Sequence, residues 1–487
     1  MDKLVEERIK KLEELRREGV NPFPYSYDVK HHAAELHEKY DEKLKPEEKG
    51  KDKVSVAGRI MLLRRMGKAT FVTLQDQSGQ IQLFITYDEL GKKNYDLLDK
   101  FDLGDIIGAK GNIYKTKRGE LSIFCSEIVI LAKSIRPLPE KYHGLKDIET
   151  IYRHRSLDLI TNPESMKRFV MRSKIIKAIR EYLDNNGFME VETPILQTQY
   201  GGAEAKPFTT FHNELKKELF LKISPELYLK RLLVGGFEKI YDLGRNFRNE
   251  SIDTTHNPEF TMLEWYEAYT DYDKQMNMFE DLWKHVAKKV LGTTKFEYQG
   301  KVINLDKWER LSMIDSIKKY AEIDISKMSE KDILKLKDKH DLEIDQPITT
   351  GKIIAALFDK HVQDKLIQPT FILDHPIDIS PLTKEKRGNT SLVERFEPFI
   401  AGMEIGNAYS ELNDPVVQRE RFEHQKKLKD MGQKETHPLD EDFMFALEHG
   451  MPPTGGVGLG IDRMVLLLTN APSIRDVIFF PTMKPKD

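Results

Sequence analysis

From Val54 to about Leu131 apolar residues recur at every second position, and in the stretches on either side they recur at every third or fourth. A chain that changes period twice is neither a helical bundle nor a sheet throughout, so a separate β domain must sit between helical regions. Within the block VSVAGRIMLLRR, ATFVTLQD and IQLFIT read as strands, with Gln77-Ser78-Gly79-Gln80 a tight turn between the second and third. A helical segment near Asp88–Lys100 follows. DIIGAKGNIYKT and ELSIFCSEIVIL then complete the block around a turn at Lys117-Arg118-Gly119.

Five strands with a helix between the third and fourth predict a small β-barrel of the OB type over residues 54–133. Alternation points Val72, Leu74, Ile81, Leu83 and Ile85 inward and leaves Phe71, Thr73, Gln82 and Phe84 on the outer face. That face suits unpaired bases: Phe71 can stack one and Gln82 can read an edge. Arg59, Arg64, Arg65 and Lys68 lie nearby and favour a phosphate chain, although an apolar face of this kind also suits a protein interface.

Residues 1–53 read as a helical extension: Leu4, Val5, Ile9, Leu12 and Leu15 keep helical spacing, Gly19, Pro22 and Pro24 stop it, and GKDK at 50–53 reads as a linker. Residues 134–150, with Pro137 and Pro139, read as a stiff connector to a second domain over 151–487. That domain opens on one long helix ending at Asn186-Gly187 and carries a lysine- and aspartate-rich, mostly helical insertion at about 272–394. The predicted class is therefore α+β. Cys125 is the one cysteine, which excludes an internal disulfide and a cysteine-based zinc site. A net charge of −3 makes any nucleic-acid site local, and the absence of a signal-like or membrane-length apolar run places the expected location in the cytoplasm.

The chemistry concentrates in RNFRNESIDTTHNPEFTMLEWYEAY, residues 245–269, where both flanks alternate polar with apolar residues as paired strands with one wet face do. Arginine offers a planar fork to phosphate or carboxylate, aromatic faces offer a platform to a flat base, and carboxylates beside them call for a cation. The pattern predicts a nucleotide and a positively charged small molecule held together. Further along, FEPFIAGMEIGNAYSELND sets Glu397, Glu404 and Glu411 seven residues apart, and GVGLGIDRMVLLL follows at 456–468. The glycine run lacks the spacing and the following acid of a dinucleotide loop, which excludes that reading.

Three signatures in order, GFMEVETPIL, FRNE with HNPEFTMLEWYEAY, and GVGLGIDRMVLLL, resemble those of class II aminoacyl-tRNA synthetases, and the resemblance covers nearly the whole chain. Within the class it is closest in kind to the lysyl-tRNA synthetases of the bacterial type, because relatives for aspartate and asparagine carry arginine where SELND places Glu411. The resemblance implies a mainly antiparallel catalytic sheet flanked by helices behind an OB anticodon-binding barrel, a homodimer formed through the first signature, ATP and L-lysine as small substrates, tRNA(Lys) as acceptor, and Mg²⁺. It implies Arg248 and Arg463 as catalytic, and Arg248, Glu250, His256, Asn257, Phe260, Gly456, Gly458, Gly460 and Arg463 about ATP. For lysine it implies Gly202, Glu226, Arg248, Glu264, Tyr266, Asn407, Tyr409 and Glu411, for the metal Glu397 and Glu404, and for the anticodon Arg64, Phe71, Gln82 and Glu120.

Overall fold

A computed structural model describes residues 3–139, 147–433 and 436–485. The chain divides into two compact units, Met1–Gly144 and Leu145–Asp487. In the first, the strands Lys49–Met66, Ala69–Gln75, Gln80–Thr86, Ile106–Lys115 and Leu121–Ala132 form a closed barrel, because the long first strand pairs with both the second and the fourth. Val72, Leu74, Ile81, Leu83 and Ile85 fill its interior together with the buried Cys125. Two sequence expectations change here. GKDK at 50–53 belongs to the first strand, since pairing with Ile106–Lys115 outweighs its charge. The extension is also part of the barrel's core, which includes Leu15, Ala33, Leu36 and Tyr40.

The second unit is built on a ten-stranded, mainly antiparallel sheet. Its central strands run in the order Asn389–Ile400, Gly406–Ser410, Thr454–Gly460, Glu259–Ala268, Lys239–Phe247. Alternation divides the two faces. Leu263, Trp265, Phe396, Ala408, Val457 and Leu459 point to a core completed by the helix Tyr272–Leu291 through Met276, Phe279, Leu282, Trp283 and Val286. Glu264, Tyr266, Asn407, Tyr409, Gly456 and Gly458 occupy the intervening positions and must face the other way.

The expected single helix before Gly187 is three: Ile148–Arg153, Arg155–Thr161 and Pro163–Asn185. Asn162 caps the last one by accepting from the amide of Glu164, and Pro163 takes the first helical position, where its missing donor costs nothing. The connector at 134–150 lies partly outside the described residues. The insertion at about 272–394 shrinks as well. The helix Tyr272–Leu291 belongs to the main core, and the strands Glu309–Ser312, Thr370–Pro376 and Asn389–Ile400 belong to the main sheet. The separate piece is the helices Met313–Ala321, Glu330–Lys339 and Thr350–His361, packed about Ile317, Leu336, Ile353 and Phe358.

Candidate active site

The wet face of the sheet floors a cavity of about 410 Å³. Register explains which residues meet there. Tyr266 and Tyr409 flank Gly456 across three strands, and Glu264 and Asn407 flank Gly458 one pleat further on. Glu411 lies just past the end of its strand, beside the first of these rows. A side chain at position 456 would stand 2.0 Å from Glu411 Oε1 and 2.5 Å from the Tyr266 ring, so Gly456 makes room for these protein groups. At Gly458 and Gly460 an added carbon would meet only ordinary contacts at 3.6 Å or more, which leaves the cavity open above both. Gly202 closes one side with φ of +84°, in the left-handed region, beside Ser224 and Glu226.

One end of the cavity is acidic and sealed. Glu226, Glu264 and Glu411 are only 3%, 5% and 1% exposed. Glu264 accepts from Ser224 Oγ at 2.7 Å and from the Tyr266 hydroxyl at 3.0 Å. Glu226 accepts from the Tyr409 hydroxyl at 2.6 Å and from Lys230 Nζ at 2.6 Å. Glu411 differs: its Oε2 pairs with Lys230 Nζ at 2.5 Å, and its Oε1 has no partner. Loss of water raises the Glu264 carboxyl to about 8, with the charge of Glu226 adding to it. Glu411 is raised by burial and, next, pulled down by Lys230.

The other end is cationic and more open. Arg248 lies with its guanidinium carbon 5.2 Å from the centre of the Phe260 ring, and its buried Nε has no acceptor. Desolvation lowers the Arg248 pKa against the pull of Glu250 and Glu404. Arg463 donates to the carbonyl of Glu404, pairs with its carboxylate at 3.5 Å and reaches His256 Nε2 at 3.3 Å. Its aim is fixed by its neighbour Asp462, which accepts from the Thr261 amide at 2.7 Å and from Arg172 at 2.5 Å. Glu250 and Asn257 also line the cavity, but the Asn257 amide is already engaged, donating to the Glu259 carbonyl at 2.6 Å and accepting from the Thr482 amide at 3.2 Å. Between the two ends Arg395 donates to Glu397 at 2.5 Å, to Asn407 at 2.9 Å and to Ser380 at 3.0 Å. Recession from water and then the charge of Glu397 raise the Glu404 carboxyl.

A guanidinium N–H without an acceptor and three buried carboxylates sharing one protein ammonium thus face one cavity floored by an antiparallel sheet. The family model described as class II tRNA synthetases (D, K and N) matches residues 147–484, and that described as an OB-fold nucleic acid binding domain matches residues 54–131. The chain is a class II tRNA synthetase. Curated relatives named lysine–tRNA ligase include those of Bacillus cytotoxicus, 51% identical with 98% of this chain and 97% of the relative covered, and Enterococcus faecalis, 51% identical over 98% and 96%. That of Carboxydothermus hydrogenoformans is 49% identical over 100% and 99%.

The synthetase's barrel aligns its outer face in two rows. Arg64, Phe71, Phe84 and Phe124 are successive register partners, and Thr73, Gln82, Ser122 and Tyr114 form the next row. Phe71 and Phe84 stack with centres 4.9 Å apart, Tyr114 continues the stack at 5.6 Å from Phe84, and Gln82 accepts from Ser122 Oγ. Glu120 is exposed at the turn before the last strand. The basic cluster is smaller than its sequence suggests, because Arg59 donates to the Gly104 carbonyl and Arg65 pairs with Asp99. In the catalytic unit, sequence reasoning missed Lys230, Arg395 and Asp462. Lys230 stands four residues after Glu226 on the helix Glu226–Val234, and Arg395 two before Glu397 on a strand, spacings that put each pair on one face. No helix among the described residues is long and apolar enough to cross a membrane.

Proposed function

We propose that this synthetase ligates L-lysine to tRNA(Lys) through a lysyl-adenylate, consuming ATP and releasing AMP and pyrophosphate. One observation carries the choice of amino acid: the sealed end of the cavity holds three buried carboxylates, and one protein ammonium, that of Lys230, pairs with two of them. A buried charge left unpaired costs about 3–5 kcal/mol, so such a site calls for a guest with more than one ammonium. Glu264 and Glu411 with Tyr266 would take the ε-ammonium, Glu226 with the Gly202 carbonyl the α-ammonium, Asn407 and Arg248 the carboxylate, and Tyr409 the wall. The relatives' name agrees with this reading.

In the first step the lysine carboxylate oxygen attacks the α-phosphorus and pyrophosphate leaves. Positioning and charge stabilisation suffice for this, without a protein nucleophile. Arg248 is assigned to bridge carboxylate and α-phosphate, an acceptor its buried Nε lacks. Phe260 offers adenine a platform, and Arg463 with His256 and Glu250 would face the phosphates. Magnesium is assigned to Glu397 and Glu404. Among the described residues no three His, Cys, Asp or Glu side chains cluster as a closed metal cage, and a pair of carboxylates suits an ion held partly by phosphate and water. When bound, it would neutralise charge on the phosphates. On the barrel, Phe71, Gln82, Arg64 and Glu120 are assigned to the anticodon. A homodimer through the first signature is supported by the exposure of its Met189, Ile195 and Leu196. The reaction belongs to the cytoplasm, where translation runs.

Exchange of labelled pyrophosphate into ATP tests the reading, with each amino acid supplied in turn. Lysine should support exchange, and aspartate and asparagine should not. Exchange driven by aspartate would overturn the pocket assignment, and exchange with no amino acid would overturn the activity.

A further inference from the structure

The acidic end of the cavity already contains a cation of its own. Lys230 is fully buried on the helix Glu226–Val234, with Nζ 2.6 Å from Glu226 Oε1, 2.5 Å from Glu411 Oε2 and 5.6 Å from the centre of the Tyr409 ring. An ordinary buried pair would be one acid and one base. Here one ammonium is shared by two carboxylates, and a third, Glu264, faces the same space. With all three acids ionised, three negative charges less one positive leave two to be met, which equals the number of ammonium groups a lysine brings.

We propose that Lys230 is a positioning residue that sets this count and so determines specificity: bridging Glu226 and Glu411, it leaves the pocket short of two cations. The inference rests on the lysine reading above and deepens it. Lys230 touches the carboxylates and not the guest, so it acts through them. It holds Glu226 by a directed hydrogen bond. It pairs with Glu411 through Oε2, so that Oε1 keeps its acceptor capacity for the guest. Burial and the neighbouring acids push Glu411 towards its protonated form, and Lys230 is the cation that opposes them. Without Lys230 the pocket would take up a proton in its place and present a neutral hydroxyl to the distal ammonium. Lysine would then bind weakly, while norleucine, an analogue with the same carbon chain and no distal ammonium, would be rejected less.

The test uses the full-length enzyme and amino-acid-dependent pyrophosphate exchange. In Lys230→Met, which keeps length and volume, the KM for lysine should rise at least tenfold and the KM for ATP stay within about twofold. The ratio of kcat/KM for lysine over norleucine should fall at least tenfold. A residue that only supports the fold would move both KM values together and leave the ratio unchanged. The double variant Lys230→Met/Glu411→Gln removes one carboxylate together with the one ammonium and so restores a shortfall of two cations, and its KM for lysine should not exceed that of Glu411→Gln alone. This comparison stands even where Lys230→Met does not fold by itself. The proposal is overturned by a lysine KM within twofold of wild type in Lys230→Met, by equal rises for lysine and ATP, or by losses that multiply in the double variant. Absence of lysine-dependent exchange in the unaltered enzyme would instead overturn the lysine reading, so the two failures are distinguishable.

Discussion

The two ends of the cavity are built on different terms. At the acidic end the carboxylates are sealed from water, and tyrosine, serine and lysine donors hold Glu226 and Glu264 before any guest arrives. At the cationic end Glu250 and His256 are exposed, and Arg463 leans on a histidine and a glutamate. Choosing among amino acids requires charges that cannot fall back on water, because only then does the wrong guest leave them stranded. ATP brings its own dense charge and a flat base, so a looser frame suffices. Selectivity is concentrated where solvent is excluded.

The contrast breaks most readily at Glu411. Glu411→Gln removes one of the three buried carboxylates and should lower kcat/KM for lysine by roughly 100-fold or more, following the ~3–5 kcal/mol of a broken buried pair. The KM for ATP should stay within about threefold, and equal losses for both substrates would erase the distinction between the ends. Gly456→Ala attacks the same end sterically. Its new carbon would stand 2.0 Å from Glu411 Oε1, and displacing a packed group costs about 1–3 kcal/mol. It should raise the lysine KM roughly 5- to 100-fold in steady-state exchange assays.

The barrel provides a control outside the cavity. Phe71→Ala should weaken tRNA charging by the ~1–3 kcal/mol of one base stack and leave pyrophosphate exchange unchanged. Loss of both activities would refute an anticodon role.

Protons sharpen the comparison further. Glu264 in the empty site is raised to about 8, and it must be ionised to receive an ammonium. Lysine therefore competes with a proton: its affinity should fall about tenfold for each pH unit below 8 and level off above it. Calorimetric titration with lysine across this range checks the slope, and Glu264→Gln should flatten it. The smallest effect belongs to the open end. His256→Ala removes an exposed contact to Arg463 and should change the ATP KM less than fivefold, with the lysine KM unmoved in the same assay.

Much of this was legible in the sequence because strand alternation is a strict rule. The barrel interior, Phe71 with Gln82 on one outer face, and Glu264 with Tyr266 on one pleat all follow from a period of two. The bulk of the site set came with the motif resemblance, and the cavity gathers it, including Gly202, Glu226 and Asn407 from elements far apart in the chain. Other features were hidden for identifiable reasons. Lys230 reads as one more lysine in a lysine-rich chain until its burial is known, since a charge spacing of four is usually a solvated helix face. Gly456 and Gly458 look alike in GGVGLG, and only their neighbours distinguish the one that makes room for Glu411 from the one that borders open space. Strands such as TFILDHP were absorbed into the supposed insertion because a continuous apolar run carries no alternation to read.

The central claim is that the sealed end demands two ammonium groups. Its most direct test is the competition of lysine and norleucine for the unaltered enzyme, measured as inhibition constants in lysine-dependent pyrophosphate exchange. Norleucine keeps the carbon chain and lacks the distal ammonium, so it should bind about 10⁴-fold more weakly than lysine. An inhibition constant within tenfold of that for lysine would contradict the account.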